Sequence, residues 1–149
     1  MRTGIIIRLS EYQGEMGAVK IPLEVYEELK DGKDVLASWL RQDSVREVLL
    51  LEEEVEVDLV AQTVDQQYAP DLTDDEILKL GRDPFLVAYA RVDAGNRTVV
   101  TTEVSKPKRV RANRHLPDVC RDLSVACCNT FELTRRLDFS TAWRRHAGL

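Results

Sequence analysis

Residues 83–103, DPFLVAYARVDAGNRTVVTTE, constrain the fold more than any other stretch of this chain. Asp83 and Pro84 read as the N-cap and first-turn proline of an apolar helix running to about Val92. An Ala94-Gly95-Asn96 turn follows. TVVT at 98–101 is then a buried strand leading straight into Thr102 and Glu103. A helix and strand this apolar, joined by so short a turn, belong inside a layered α/β domain.

The remaining chain repeats the alternation. AVKI at 18–21 is a strand, and PLEVYEELKDG continues from it as a helix with Leu23, Tyr26 and Leu29 at helical spacing and Gly32 as its stop. A second helix covers 34–41, capped by Asp34, with Leu36, Trp39 and Leu40 facing inward. VLLL at 48–51 is a strand or a buried turn, since four apolar residues have no readable period. In 52–68 the spacing of Leu59, Val60, Thr63 and Val64 favours a helix, which Pro70 ends. Thr73 and Glu76 form a capping box for a short helix that Gly81 stops. Pro117 opens a helix to Leu123, VACC at 125–128 is the last strand, and Asn129 or Thr130 caps FELTRRL. The expected fold class is α/β: a three-layer, mostly parallel sheet of about four or five strands flanked by helices. It forms one domain over 1–149, with 1–17 atypical and 138–149 a C-terminal tail.

A chain of 149 residues, 44% of them hydrophobic, can fill one core without a metal or disulfide staple. Cys120, Cys127 and Cys128 are an odd number without a CxxC knuckle, and the adjacent pair cannot readily close on itself; reduced thiols in a cytoplasmic protein are the expectation. The apolar run GIIIRL at 4–9 is too short for a membrane span and lacks the cleavage site of a signal peptide, so no membrane partner is expected. Charge is divided unevenly: residues 1–96 carry 10 basic and 21 acidic side chains, and residues 97–149 carry 11 and 5. The stretch 52–78 holds ten acids and no Lys or Arg, as a solvated helix face or a lid would. The basic C-terminal third could touch phosphate, whereas the acidic remainder would repel it unless metal ions intervened.

In open parallel sheets, functional groups collect beyond the C-terminal ends of the strands. That rule selects Glu103 beyond strand 98–101, with Thr101 and Thr102 beside it, Asp83 at a helix start, and Glu28 in the helix after strand 18–21. Three converging carboxylates require a cation, because like charges raise one another's pKa. Oxygen donors without sulfur or imidazole suit Mg²⁺ or Mn²⁺. Each acid also has a plainer account: Asp83 as a cap, Glu28 as an exposed helix acid beside Glu27, Glu103 as a loop acid. The loop 105–115, SKPKRVRANRH, is too polar to pack; its Lys106, Lys108, Arg109, Arg111 and Arg114 either hold an RNA backbone or are simply solvated. His115 and His146 have no partner acid beside a strand end and are poor general bases.

Taken together, VYEELKDGKD at 25–34, DPFLVAYARVDAGNRTVVTTE at 83–103, and LPDVC with NTFEL at 116–133 resemble an uncharacterised prokaryotic branch of the PIN-like domain superfamily, over about residues 18–137. The resemblance implies a metal-dependent ribonuclease, in many relatives the toxin of a toxin–antitoxin pair. It assigns the family's acids to Glu28 (with Glu27 as fallback), Asp83 and Glu103, as catalytic residues and as ligands of Mg²⁺ or Mn²⁺, with Asn129 or Thr130 near the same pocket. One departure stands out: the family's first strand, ending in a metal-bridging Asp, has no counterpart before Ala18. A start placed too late, replacement by IIIRL with Glu11 as a weak ligand, and a degenerate relative are the three explanations, the first of them favoured. The expected partners are RNA, an antitoxin protein and, through Leu36, Trp39 and Leu40, a second copy. A catalytically impaired scaffold that binds RNA or a protein is the competing expectation, and a dinucleotide-binding domain is disfavoured because no glycine-rich phosphate loop follows a strand.

Overall fold

The computed structural model describes residues 4–8 by their backbone and residues 19–136 in full. Five short strands and eight short α-helices alternate along it: β1 (Gly4–Arg8), β2 (Val19–Pro22), α1 (Leu23–Lys30), α2 (Val35–Leu40), α3 (Asp43–Leu49), β3 (Leu50–Leu51), α4 (Val57–Thr63), α5 (Asp74–Leu80), α6 (Asp83–Val92), β4 (Arg97–Thr101), α7 (Leu116–Asp122), β5 (Ala126–Cys128) and α8 (Thr130–Arg136). A π-helical turn at Val64–Tyr68 extends α4, and a 3-10 turn at Arg111–Asn113 precedes α7.

The strands lie in the order β3-β2-β1-β4-β5. Parallel pairing is confined to two separate two-stranded units, β2 with β3 and β4 with β5. Between them β1 runs antiparallel to both neighbours, with Ile6 opposite Lys20 on one side and Val99 on the other. This overturns the expected mostly parallel, three-layer sheet: residues 19–136 are helix-dominated, 57% helical against 12% strand. The PIN-like reading, drawn from motifs at 25–34, 83–103 and 116–133, requires a different architecture and is overturned by this helix-dominated fold. The physical reason lies in strand length. A two-residue β3 and a three-residue β5 make too few ladder hydrogen bonds to build an extended sheet, so helix packing carries the core. Residues 5–8 of IIIRL do enter a strand, but one reversed against its neighbours, and Leu9 and Glu11 lie outside the described residues.

The core forms where α6 lies against β4. Asp83, Pro84, Leu86, Val87, Ala88, Tyr89 and Ala90 of α6 are buried, as is every residue of β4. Each aliphatic side chain so buried stabilises by roughly 1.5–3 kcal/mol. Val25, Tyr26 and Leu29 form the inner face of α1, and the Tyr26 hydroxyl donates to the Leu40 carbonyl, tying α1 to the end of α2. Asp34 caps α2 by accepting from the Ala37 amide at 2.8 Å, as its position predicts. The inward face of α2 is Ala37 and Leu40, however; Leu36 and Trp39 are about half exposed, so the expected inward trio is reduced to Leu40. α3 occupies residues for which the sequence suggested no helix, leaving only Leu50 and Leu51 of VLLL in a strand. The Thr73–Glu76 capping box forms in full. One buried cation is held in this core: Arg97 donates to the Tyr89 carbonyl at 2.8 Å and pairs with Glu53 at 2.5 Å. Its charge is tolerable there because both partners are in place. Among the described residues no helix is long and apolar enough to cross a membrane.

Candidate functional site

Strand direction decides which groups meet. β2 and β4 are both antiparallel to β1 and so point the same way, and β3 and β5 follow them. The C-terminal ends of four strands therefore share one edge. α1 departs from that edge directly after β2, bringing Glu28 with it. α6 runs back toward the start of β4 through the short turn 93–96, which leaves Asp83, its first residue, at the same edge. Glu103 stands two residues beyond β4, its amide donating to the Thr101 hydroxyl at 3.1 Å.

Within that edge the three acids are divided. Glu28 and Asp83 line one small pocket of about 260 Å³ with Lys79, Gly81 and Arg82. Asp83 is nearly buried and Glu28 exposed, so the pocket has a deep acid and a shallow one. Asp83 is the first residue inside the helix rather than its cap; Arg82 holds the cap position, and the carboxylate sits where the helix dipole favours negative charge. The floor between the two acids turns at Gly81, whose φ of 55° and ψ of −128° suit glycine alone. A Cβ there would stand 3.8 Å from the Glu28 carboxylate, an ordinary contact, so it is the backbone and not space that requires glycine.

Glu103 lines a different and larger cleft, about 800 Å³, with Thr101, Thr102, Arg121, Cys127, Asn129 and Phe131 among its walls. Its Oε2 accepts from the Leu116 amide at 2.7 Å, so Glu103 also tethers the start of α7. Asn129 caps α8 by accepting from the Glu132 amide at 2.9 Å, and with Thr130 it borders the Glu103 cleft rather than the Glu28–Asp83 pocket. Two thiols lie near these cavities: Cys127 lines the Glu103 cleft and packs against the core cluster that holds Cys120, and Cys120 has Asp83 as a charged neighbour. Among the described residues no three of the His, Cys, Asp and Glu side chains gather closely enough to enclose a metal ion. Two carboxylates in one pocket still fit Mg²⁺ or Mn²⁺, since such ions take one or two carboxylates and keep water or substrate phosphate in their other positions.

The basic loop after Glu103 is not the unpacked segment its composition suggests. Ala112 is buried in the core, and Arg111 adopts a left-handed φ of 55° to put it there. Arg111 donates to both Glu76 oxygens, at 2.8 and 2.9 Å, and pairs with Asp71 at 2.8 Å. Arg114 donates to the Gln67 carbonyl at 2.9 Å and to Asp122 at 2.6 Å. Lys106, Lys108 and Arg109 are exposed, and their side chains form no ion pair among the described residues. His115 holds the Val104 carbonyl at 2.8 Å through Nδ1, a fastening rather than a general base. His146 and the tail lie outside the described residues.

A residue the sequence did not single out anchors this loop. Asp118, 1% exposed, accepts from the Ser105 hydroxyl at 2.5 Å and the Lys106 amide at 2.8 Å, and meets Arg121 at 3.3 Å. Burial opposes its charge, but Ser105, the Lys106 amide, Arg121 and Arg114 outweigh that and hold the carboxyl below its ordinary value. The only signal for it was an acid directly after Pro117 in a helical first turn, a position that solvated acids occupy as readily.

Comparison with curated proteins finds no match, and comparison with solved structures finds none either. A family pattern does match, over residues 8–141, and takes in every candidate residue above. By that match over most of its length, the chain belongs to the family described as a domain of unknown function (DUF4411).

Proposed function

We propose that the chain is a metal-dependent ribonuclease, hydrolysing RNA phosphodiester bonds at the common edge of its strands. The observation that supports this most is the placing of Glu28 and Asp83 in one pocket, with Glu103 at the same edge and, on the loop that follows it, three exposed cations without ion pairs among the described residues. Glu28 and Asp83 would hold Mg²⁺ or Mn²⁺, which when bound would lower the pKa of water and neutralise charge on the phosphate. Asp83, fixed at the start of α6 and shielded from solvent, sets the position of the site. Glu28, exposed across the Gly81 turn, admits the substrate oxygen. Lys106, Lys108 and Arg109 bind phosphates on either side of the scissile one, giving affinity without reading sequence. Arg111 and Arg114 do not share that role, because Asp71, Glu76, Gln67 and Asp122 already hold them.

A second reading, an RNA-binding protein with impaired catalysis, is favoured by one observation: Glu103 spends Oε2 on the Leu116 amide and faces a different cleft from the other two acids. Titration calorimetry with Mn²⁺ on the wild type and on Asp83→Asn, followed by cleavage of a labelled RNA, tests both. Micromolar binding that falls at least tenfold in the variant, together with Mn²⁺-dependent cleavage, is the expected result. Tight RNA binding with no response to millimolar Mn²⁺ would leave the binding reading in its place.

A further inference from the structure

The α7–β5 connection joins two of the three cysteines. α7 ends at Asp122, Ser124 takes a left-handed φ of 57°, and the Val125 amide returns to donate to the Cys120 carbonyl at 2.8 Å. This tight reversal lays β5 back against the helix it has just left. Side chains alternate along a strand, so Cys127 and Cys128 point to opposite faces. Cys127 packs against the core cluster that holds Cys120, and each thiol influences the ionisation of the other. Cys128 also lines the cleft; burial raises its thiol above the ordinary value, and Arg136 of α8 opposes that.

The two paired thiols differ in access. Cys120 has no solvent exposure, whereas Cys127 is half-buried and forms part of the open wall of the Glu103 cleft. From this geometry we infer that Cys120 and Cys127 are a peroxide-responsive dithiol, closing to a reversible disulfide in the cleft wall. Cys127 is the attacking sulfur. Its thiolate takes one oxygen from hydrogen peroxide, breaking the O–O bond to give a sulfenic acid, and the departing hydroxide takes up the proton that Cys127 lost and leaves as water. Cys120 then attacks that sulfur and the S–O bond breaks; the Cys120 proton and the sulfenic hydroxyl leave as a second water, so two thiols and one peroxide become one disulfide and two waters.

The electrostatics fit this division of labour. The neighbouring Cys120 thiol draws the Cys127 thiol below its ordinary value, although burial and Glu103 oppose it. Cys120 is pushed the other way by the Cys127 thiol, by burial and by Asp83. Closing the bond would tie α7 to β5 and remove a thiol from the cleft, making the shape of that wall depend on redox state.

Trypsin separates the two residues, since cleavage after Arg121 puts Cys120 on one peptide and Cys127 with Cys128 on the next. The full chain is treated with hydrogen peroxide, alkylated and mapped by mass spectrometry, beside Cys127→Ser and Cys128→Ser. The expected result is loss of two alkylatable thiols, a link between those two peptides in the wild type and in Cys128→Ser but not in Cys127→Ser, and full recovery with dithiothreitol. Folded protein should also form the link at least tenfold faster than the same chain in urea. Three alkylatable thiols after treatment, a link that requires Cys128, or equal rates with and without urea would each overturn the inference. The wild-type map and the urea comparison stand even if a serine variant folds poorly.

Discussion

The two halves of the loop between Glu103 and α7 carry the same kind of charge to opposite ends. Lys106, Lys108 and Arg109 project from the surface without ion pairs among the described residues, while Arg111 and Arg114, a few positions later, are spent on Asp71, Glu76, Gln67 and Asp122. The second half cross-links the acidic stretch 52–78 to the rest of the molecule; the first half is left for something outside it. A cation count along the sequence treats the five alike. Only the fold tells those that build it from those that remain available.

The clasp at the start of the first half is the sharpest place to break this contrast. Asp118 holds Ser105 and the Lys106 amide from inside the core, and Asp118→Ala would remove both of these bonds to a buried carboxylate, at a cost of about 1–3 kcal/mol. Urea denaturation should show that loss, and RNA affinity should fall with it as the first half of the loop comes free. An unchanged midpoint would mean that the clasp is idle.

Next in size is the joint replacement of Lys106, Lys108 and Arg109 by alanine. RNA affinity measured by fluorescence anisotropy should drop roughly tenfold or more, and the slope of log affinity against log salt should fall by about 2–3, near one per lost phosphate contact. The urea midpoint should hardly move. Arg111→Ala should behave in the reverse sense, lowering the midpoint while keeping the salt slope of the wild type. If both variants flatten the slope equally, the division of the loop is wrong.

The smallest effect is one of pH. Arg111's hydrogen bonds hold the Glu76 carboxyl well below its ordinary value of 4.5, at about 2. An acid depressed by folding adds stability above its unfolded pKa and loses that contribution as pH falls through the folded one. The α5–loop contact should therefore weaken between about pH 4.5 and pH 2. Urea midpoints for Glu76→Gln should fall less across that window than those of the wild type; parallel curves would remove Glu76 from the account.

Local chemistry was legible in the sequence wherever a residue acts on its own neighbours. Asp34 caps α2, Thr73 and Glu76 close their box, Asn129 caps α8, and Gly81 ends α5, all read from spacing of four residues or fewer. The apolar run at 83–101 likewise marked the core. The direction of the strands was not legible, because four apolar residues pair equally well either way and the choice rests on partners some ninety positions distant. That is why a mostly parallel sheet was expected where β1 runs reversed and helices dominate. For the same reason Leu36 and Trp39 were assigned inward: helical spacing defines a stripe but not what lies against it. The candidate site was half legible. Strand-end reasoning found the edge that Glu28, Asp83 and Glu103 share, but it could not show that they open into two cavities, nor that Asp118 and the Cys120–Cys127 contact stand beside them.

The reversed strand carries a consequence for how the molecule is made. β1 comes before both of its neighbours in the sequence, yet it is the strand that joins the β2–β3 unit to the β4–β5 unit, and most of its pairing waits for Val99 and its neighbours. During synthesis that strand must remain half-paired until β4 has left the ribosome. The sheet then closes through contacts of high sequence separation, which makes the last joining step the slow one and leaves an unpaired strand edge exposed until it is complete.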